Sequence, residues 1–225
     1  MITVHRKKIV TLLFFVTCLP AHSLPKVTFF KKLIGQPPFF PNALRDTINA
    51  KNRITENFHT VQKNKLYRSA QLSPQTLRKY IQHHKIKTVV NLRGMNPTET
   101  WWQQEQEVCQ DSNVQFFNIA MSAQTMTSKE NLITLLDIYR TAPKPILIHC
   151  YSGADRTGEA AALWCLEIQK QRRKHAKKQL SPWYGHFKSK YPAKDFLIDI
   201  WRGRAWLEHK YDSAQYPQFM QTKKS

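Results

Sequence analysis

Between Pro145 and Gly158 the chain runs an apolar strand into a helix with only a short polar loop between them. Ile146-Leu147-Ile148 is apolar at every position, the pattern of a strand buried on both faces. Such strands occur in parallel sheets covered by helices, so this stretch restricts the fold more than any other. Lys87-Thr88-Val89-Val90-Asn91-Leu92 and Val114 to Ile119 read as two more strands, and Phe58 to Val61 and Leu66 to Arg68 as short ones. Helices are predicted between them. Ser73 caps one that has Pro74 at its first position and runs to about His84. Thr98 caps another over 99–110, with Trp101, Trp102 and Val108 as apolar members, Trp101 and Trp102 being read as a core pair. Ser128 starts a third, with Leu132, Ile133, Leu135, Leu136 and Ile138 on one face and Glu130 in its first turn. The last is predicted over 156–173. This alternation is that of an α/β domain with a central, mainly parallel sheet flanked by helices. Ligands of such sheets bind at the carboxyl ends of the strands, which here means at His149-Cys150.

The segment His149-Cys150-Tyr151-Ser152-Gly153-Ala154-Asp155-Arg156-Thr157-Gly158 carries the chemistry. A loop of this length can curl the N–H groups of 151–156 inward, with a helix N-terminus behind them. That makes an anion site of phosphate size. Gly153 permits a turn that a side chain could block. The same positive potential favours a Cys150 thiolate. The Arg156 guanidinium can hold two phosphate oxygens at once. The Thr157 hydroxyl can donate to the sulfur, and His149 can brace the loop.

These residues match H-C-x5-R-[S/T]-G, and the chain resembles the protein-tyrosine/dual-specificity phosphatase superfamily. The likeness extends to Leu66-Tyr67-Arg68-Ser69-Ala70-Gln71 and to Lys87–Arg93, and it looks closest to small bacterial and atypical dual-specificity-like members. It covers about 58–175. The resemblance implies a cysteine-phosphatase fold with the phosphate loop between strand and helix. It implies Cys150 as nucleophile, Arg156 as clamp and a phosphocysteine intermediate, with Tyr151, Ser152, Gly153, Ala154 and Thr157 binding phosphate and His149 and Gly158 supporting the loop. By similarity, Arg93 reaches toward the loop or the phosphate; the alternative is a surface arginine. No metal or other cofactor is required.

Relatives supply the leaving group's proton from an Asp in a mobile loop after the preceding strand. Here that loop, Ala120 to Thr127, has no carboxylate. Glu130 and Asp137, the only acids between 112 and 149, fit a helix better than a loop. Asp155 is therefore the candidate acid, as proposed for myotubularin-like and Sac-like lipid phosphatases that also carry Asp before the motif Arg. The competing reading is an Asp ion-paired to a nearby Arg, stiffening the loop.

Charge limits the partners. The formal net charge of +20 attracts phosphorylated substrates or an anionic membrane surface. No nucleic-acid module is recognisable. His5 to Lys8 followed by the apolar run Ile9 to Leu19, with Ala21 and Ser23 as small residues at the end, reads as a signal peptide over 1–23. This places the protein in the periplasm or outside the cell. Residues 24–56, rich in Pro with Phe29-Phe30 and Phe39-Phe40, read as an N-terminal arm, and 57–215 as the catalytic domain with C-terminal helices. Cys109, Cys150 and Cys165 would remain after cleavage, with no disulfide framework.

The cluster from Lys170 to Lys178 reads as a solvated helix end or a docking surface for anionic lipid. His83, His84, His175, His186 and His209 lack metal spacing and read as surface residues. Three substrate classes stay open. They are a phosphotyrosine or dual-specificity protein substrate, a phosphoinositide or other phospholipid, and a phosphate bound without turnover. Lipid phosphatases of the superfamily often carry Lys where this loop has Tyr151 and Ala154. The oligomeric state is not legible.

Overall fold

The structure is a computed structural model, and residues 55–219 are described. The expected signal peptide and N-terminal arm lie outside the described residues.

Five strands form one sheet in the order β1-β2-β5-β3-β4. They are β1 (His59–Gln62), β2 (Leu66–Ser69), β3 (Thr88–Asn91), β4 (Gln115–Asn118) and β5 (Ile146–His149). β1 is antiparallel to β2, and every other pair is parallel. The helices are α1 (Pro74–His84), α2 (Thr100–Asp111), α3 (Lys129–Thr141), α4 (Asp155–Glu167), α5 (Arg173–Ala176), α6 (Pro192–Ile200) and α7 (Arg204–His209). The expected α/β architecture is what forms.

Side chains of a strand alternate between faces, and the sheet sorts them accordingly. Leu66, Val90, Ile146 and Ile148 join one core with Leu132, Leu135, Ala160 to Cys165, Leu197 and Ile198. Tyr67, Val89 and Leu147 join a second with Leu77, Ile81, Val108 and Cys109. Cys109 and Cys165 are buried thiols, and desolvation pushes them up to about 12 and about 11.

β5 lies between β2 and β3, with His149 opposite both Ser69 and Asn91. Three strand ends therefore converge where Cys150 leaves the sheet.

Several boundaries differ from expectation. Ser73 and Ser128 do cap α1 and α3, accepting from Thr76 N–H and Asn131 N–H. Thr98 does not cap α2; Glu99 occupies that place without a side-chain bond. The motif helix ends at Glu167 rather than 173. Lys170 takes φ 53°, which no continuing helix allows, so the basic run after it lies in a turn and the short α5. Trp102 is core while Trp101 is not, which splits the expected pair.

The central helix α4 is the packing pivot, since Ala160, Ala161, Ala162 and Leu163 are wholly buried. Leu163→Ala should cost about 3 kcal/mol, read as a lower urea midpoint at unchanged slope.

Candidate active site

The loop is built by tying down its carbonyls. Gln71 N–H donates to Tyr151 O at 3.1 Å. Asn57 Nδ2 donates to Ser152 O at 2.9 Å. Arg68 Nη2 donates to Gly153 O at 2.7 Å, and Gly158 N–H closes the first helical turn on Ala154 O at 2.8 Å. On the other side, Leu92 N–H holds His149 O at 2.8 Å. With these carbonyls engaged, the N–H groups of 151–156 donate to no acceptor among the described residues. A peptide run whose oxygens are all held from outside can direct its N–H groups into the loop, as an anion nest requires.

Gly153 has φ 71°, and a Cβ there would lie 2.6 Å from the Ser69 carbonyl. At Gly158 a Cβ would meet the Leu180 side chain at 2.7 Å and Gln179 O at 2.9 Å. Both glycines are thus required by close approach as well as by the loop's turn.

Cys150 is buried at the end of β5. Arg156 is partly buried, and its Nη1 lies 3.5 Å from Met121 O. Arg156 Nε, Thr157 Oγ1 and Ser69 Oγ are buried without a hydrogen-bond partner. Buried polar atoms usually have one, and here the three belong to the loop, the helix it leads into and the strand end beside it. Tyr151 and Ser152 are exposed at the rim, while Gly153 and Ala154 are buried behind it.

Arg68 is the residue that sequence reasoning quoted but gave no role. It is completely buried. One arm holds Gly153 O and the other holds Gln179 O and Oε1, each at 2.8 Å. Its face lies 3.9 Å from the Tyr184 ring centroid. Desolvation lowers it to about 10, against the opposing pull of Tyr184 and Cys150, so it stays charged at neutral pH.

A second network reaches His149. His149 Nε2 lies 2.8 Å from Glu105 Oε1, Gln71 Nε2 donates to Glu105 Oε2 at 3.1 Å, and Arg93 Nη1 donates to Gln71 Oε1 at 2.9 Å. Arg93 stacks on Trp101 at 3.4 Å and lies 5.3 Å from the Tyr151 ring. Its pKa is lowered by desolvation and by the nearby Arg156 charge. Arg93 therefore stands at the loop's rim, beside Tyr151. Glu105 was legible: it occupies the apolar face of α2, three residues from Trp102 and Val108.

The third network overturns one expectation. His186 is buried, not on the surface. Its Nδ1 lies 2.7 Å from Asp155 Oδ1 and its Nε2 2.8 Å from Asp195 Oδ2. Burial works against its charge, but the hydrogen bonds and charges of the two carboxylates prevail and raise it to about 9. The partner of Asp155 is thus a histidine rather than an arginine. Beside it, Lys194 and Glu159 form a fully buried ion pair at 2.7 Å; burial raises Glu159, with Lys194 opposing.

Lys194 Nζ also donates to Thr125 O at 2.9 Å, and Tyr211 O–H to Thr127 O at 2.6 Å. The carboxylate-free loop 120–127 is thus pinned by the C-terminal segment. Glu130 and Asp137 lie on α3, and Asp137 is paired with Arg204.

His186→Gln would leave Asp155 and Asp195 buried without their shared cation, at a cost of about 3 kcal/mol. Because folding raises the His186 pKa, its stabilisation is full below about 6.5 and declines as pH rises toward about 9. Urea unfolding of wild type and variant should show the gap shrinking over that window.

A family model described as "DSP-PTPase phosphatase fused to NAD+ Kinase" matches residues 37–194. No curated protein matches the chain. Among solved structures, TpbA of P. aeruginosa is similar in fold, with 22% identity, a TM-score of 0.52, and coverage of 65% of this chain and 86% of its own. A TpbA variant in complex with pTyr gives 22% identity and a TM-score of 0.50 over 64% and 83% of the two chains. The core catalytic domain of the S. cerevisiae PP-IP phosphatase SIW14, in complex with citrate, gives 20% and 0.55 over 73% and 94%.

Proposed function

We propose, from the premise that this chain belongs to the dual-specificity and protein-tyrosine phosphatase family, that it hydrolyses phosphate monoesters through a phosphocysteine on Cys150. The observation that carries this reading is the loop itself: a buried Cys150, a following Arg156, and carbonyls held outward by Gln71, Asn57 and Arg68.

The Cys150 thiolate attacks phosphorus. The S–P bond forms as the P–O bond to the leaving alcohol breaks, and a proton passes to that oxygen. The loop N–H groups and Arg156 hold the three equatorial oxygens, most tightly when phosphorus is five-coordinate. Water then attacks phosphorus as Asp155 takes its proton, the S–P bond breaks and the thiolate returns, with Thr157 Oγ1, buried and otherwise unpartnered, as its hydrogen-bond donor.

Asp155 is assigned as the proton donor to the leaving oxygen, drawing that proton from His186 Nδ1, 2.7 Å from its Oδ1. Two observations support this. The loop 120–127 has no acid, and the next acids, Glu130 and Asp137, lie on α3 with Asp137 paired to Arg204.

The preferred substrate is a phosphotyrosine or dual-specificity phosphoprotein. Support comes from the aromatic rim of Trp101 and Tyr151 around Arg93, which suits an aryl ester, and from the pTyr bound to the TpbA variant. A phosphoinositide, other phospholipid or inositol phosphate is the second reading. It is favoured by the charge of +20 and by Asp155 before Arg156, and SIW14 is named for PP-IP. An exported protein would meet its substrate outside the cytoplasm.

The test is phosphate release, without added metal, from a phosphotyrosine peptide, a phosphoserine peptide, a phosphoinositide panel and an activated aryl phosphate. Cys150→Ser should lower every rate by more than about a thousandfold. Asp155→Asn should lose about a hundredfold on phosphoserine and little on the activated ester. An equal loss on both would make Asp155 a positioning residue, and no turnover of any substrate would leave a phosphate-binding module.

A further inference from the structure

The segment between Glu167 and Asp195 holds nine Lys or Arg and no acid, and it packs directly on the phosphate loop. Gln179 and Tyr184 hold Arg68, Tyr184 O accepts from Asn57 Nδ2 at 2.9 Å, and a Cβ at Gly185 would lie 3.7 Å from Ala154 Cβ. Some of the cations have partners: Lys177 pairs with Asp199, Arg173 donates to Trp201 O, and Lys194 is buried with Glu159. Lys178, Lys188 and Lys190 are exposed and have no carboxylate partner among the described residues.

Amid these charges stand two large exposed aromatics, Trp183 (71% exposed) and Phe187 (53%). Each lies at a tight turn. Trp183 is in the 3-10 turn Pro182–Tyr184, which Gly185 ends at φ 82°. Phe187 O accepts from Lys190 N–H and Tyr191 N–H. Between the two turns, the backbone is anchored by buried His186 and by Tyr184. The aromatics therefore project from a stem whose backbone is anchored on either side.

We propose that this face, Lys178 with Trp183 to Lys190, docks on an anionic lipid bilayer at the margin of the phosphate loop. Lysines attract the negative surface, each worth a several-fold gain in partitioning. Aromatic tips enter the interfacial layer, where an apolar body and a polar edge are both satisfied. A soluble polyanion would need the cations but gain little from Phe187. A single-stranded nucleic acid would need aromatics laid along a groove, whereas these two project from separate turns. The inference stands apart from the chemistry at Cys150, because docking does not require turnover.

The experiment uses the full chain and vesicles of phosphatidylcholine with or without phosphatidylglycerol. Because residues 1–23 are apolar and basic, the readout is the change made by variants within the same full chain. Trp183→Ala with Phe187→Ala, and separately Lys188→Glu with Lys190→Glu, should each weaken binding to the anionic vesicles by about tenfold or more. Hydrolysis of a soluble aryl phosphate, or the urea midpoint if there is no turnover, should be unchanged in both, showing that the loop and fold are intact. Brominated lipid should quench tryptophan emission in the wild type, and less of it in Trp183→Phe. Vesicle binding unchanged in both double variants would overturn the proposal. So would loss in the charge variant alone with no quenching assigned to Trp183, or binding of a single-stranded oligonucleotide in place of vesicles.

Discussion

The site depends on where the loop's carbonyl groups go. A peptide run can point its N–H groups at an anion only if its oxygens are satisfied elsewhere. Here Tyr151, Ser152 and Gly153 oxygens are taken by Gln71 N–H, Asn57 Nδ2 and Arg68 Nη2. The most demanding of these is Arg68, whose guanidinium is completely buried. Gly153 and Gln179 partner its two Nη atoms and Tyr184 covers its face, while Nε has no partner among the described residues; Tyr184 and Gln179 come from the C-terminal segment. The phosphate loop is therefore assembled from segments that precede and follow it in the chain.

The same dependence explains the C-terminal charges. Asp155 and Glu159 lie one turn apart on α4, and each meets a buried cation from the far segment, His186 and Lys194. These cations compensate carboxylates in a core that could not otherwise hold them. They also fix α4 at the point where Arg156 leaves it. Stability and site geometry are coupled here through the same few side chains.

Much of this was legible in residue order. The apolar run before Cys150 specified a covered parallel strand, and Cys150 to Arg156 at their spacing specified the loop. Ser73 and Ser128 marked helix starts because their hydroxyls can take an orphan N–H. What was not legible depended on long-range partnership. Arg68 looks like any strand residue until Gly153 and Gln179 are brought to it, more than eighty positions away. His186 sits among exposed, basic neighbours in the sequence, and its partners Asp155 and Asp195 are brought to it only by the fold. Nothing in Gln169-Lys170-Gln171 forbids a longer motif helix; its end is set by the left-handed Lys170 and the capping bonds from Gln169 N–H to Trp164 O and Gln171 N–H to Cys165 O.

The central claim is covalent chemistry at Cys150. Its most direct test is to mix the protein with an aryl phosphate, quench in acid within the first turnovers and map the peptides by mass spectrometry. A phosphate adduct on the peptide carrying Cys150, absent from Cys109 and Cys165, is the predicted result. Steady release of phosphate with no adduct at Cys150 in wild type, and with undiminished release by Cys150→Ser, would contradict it.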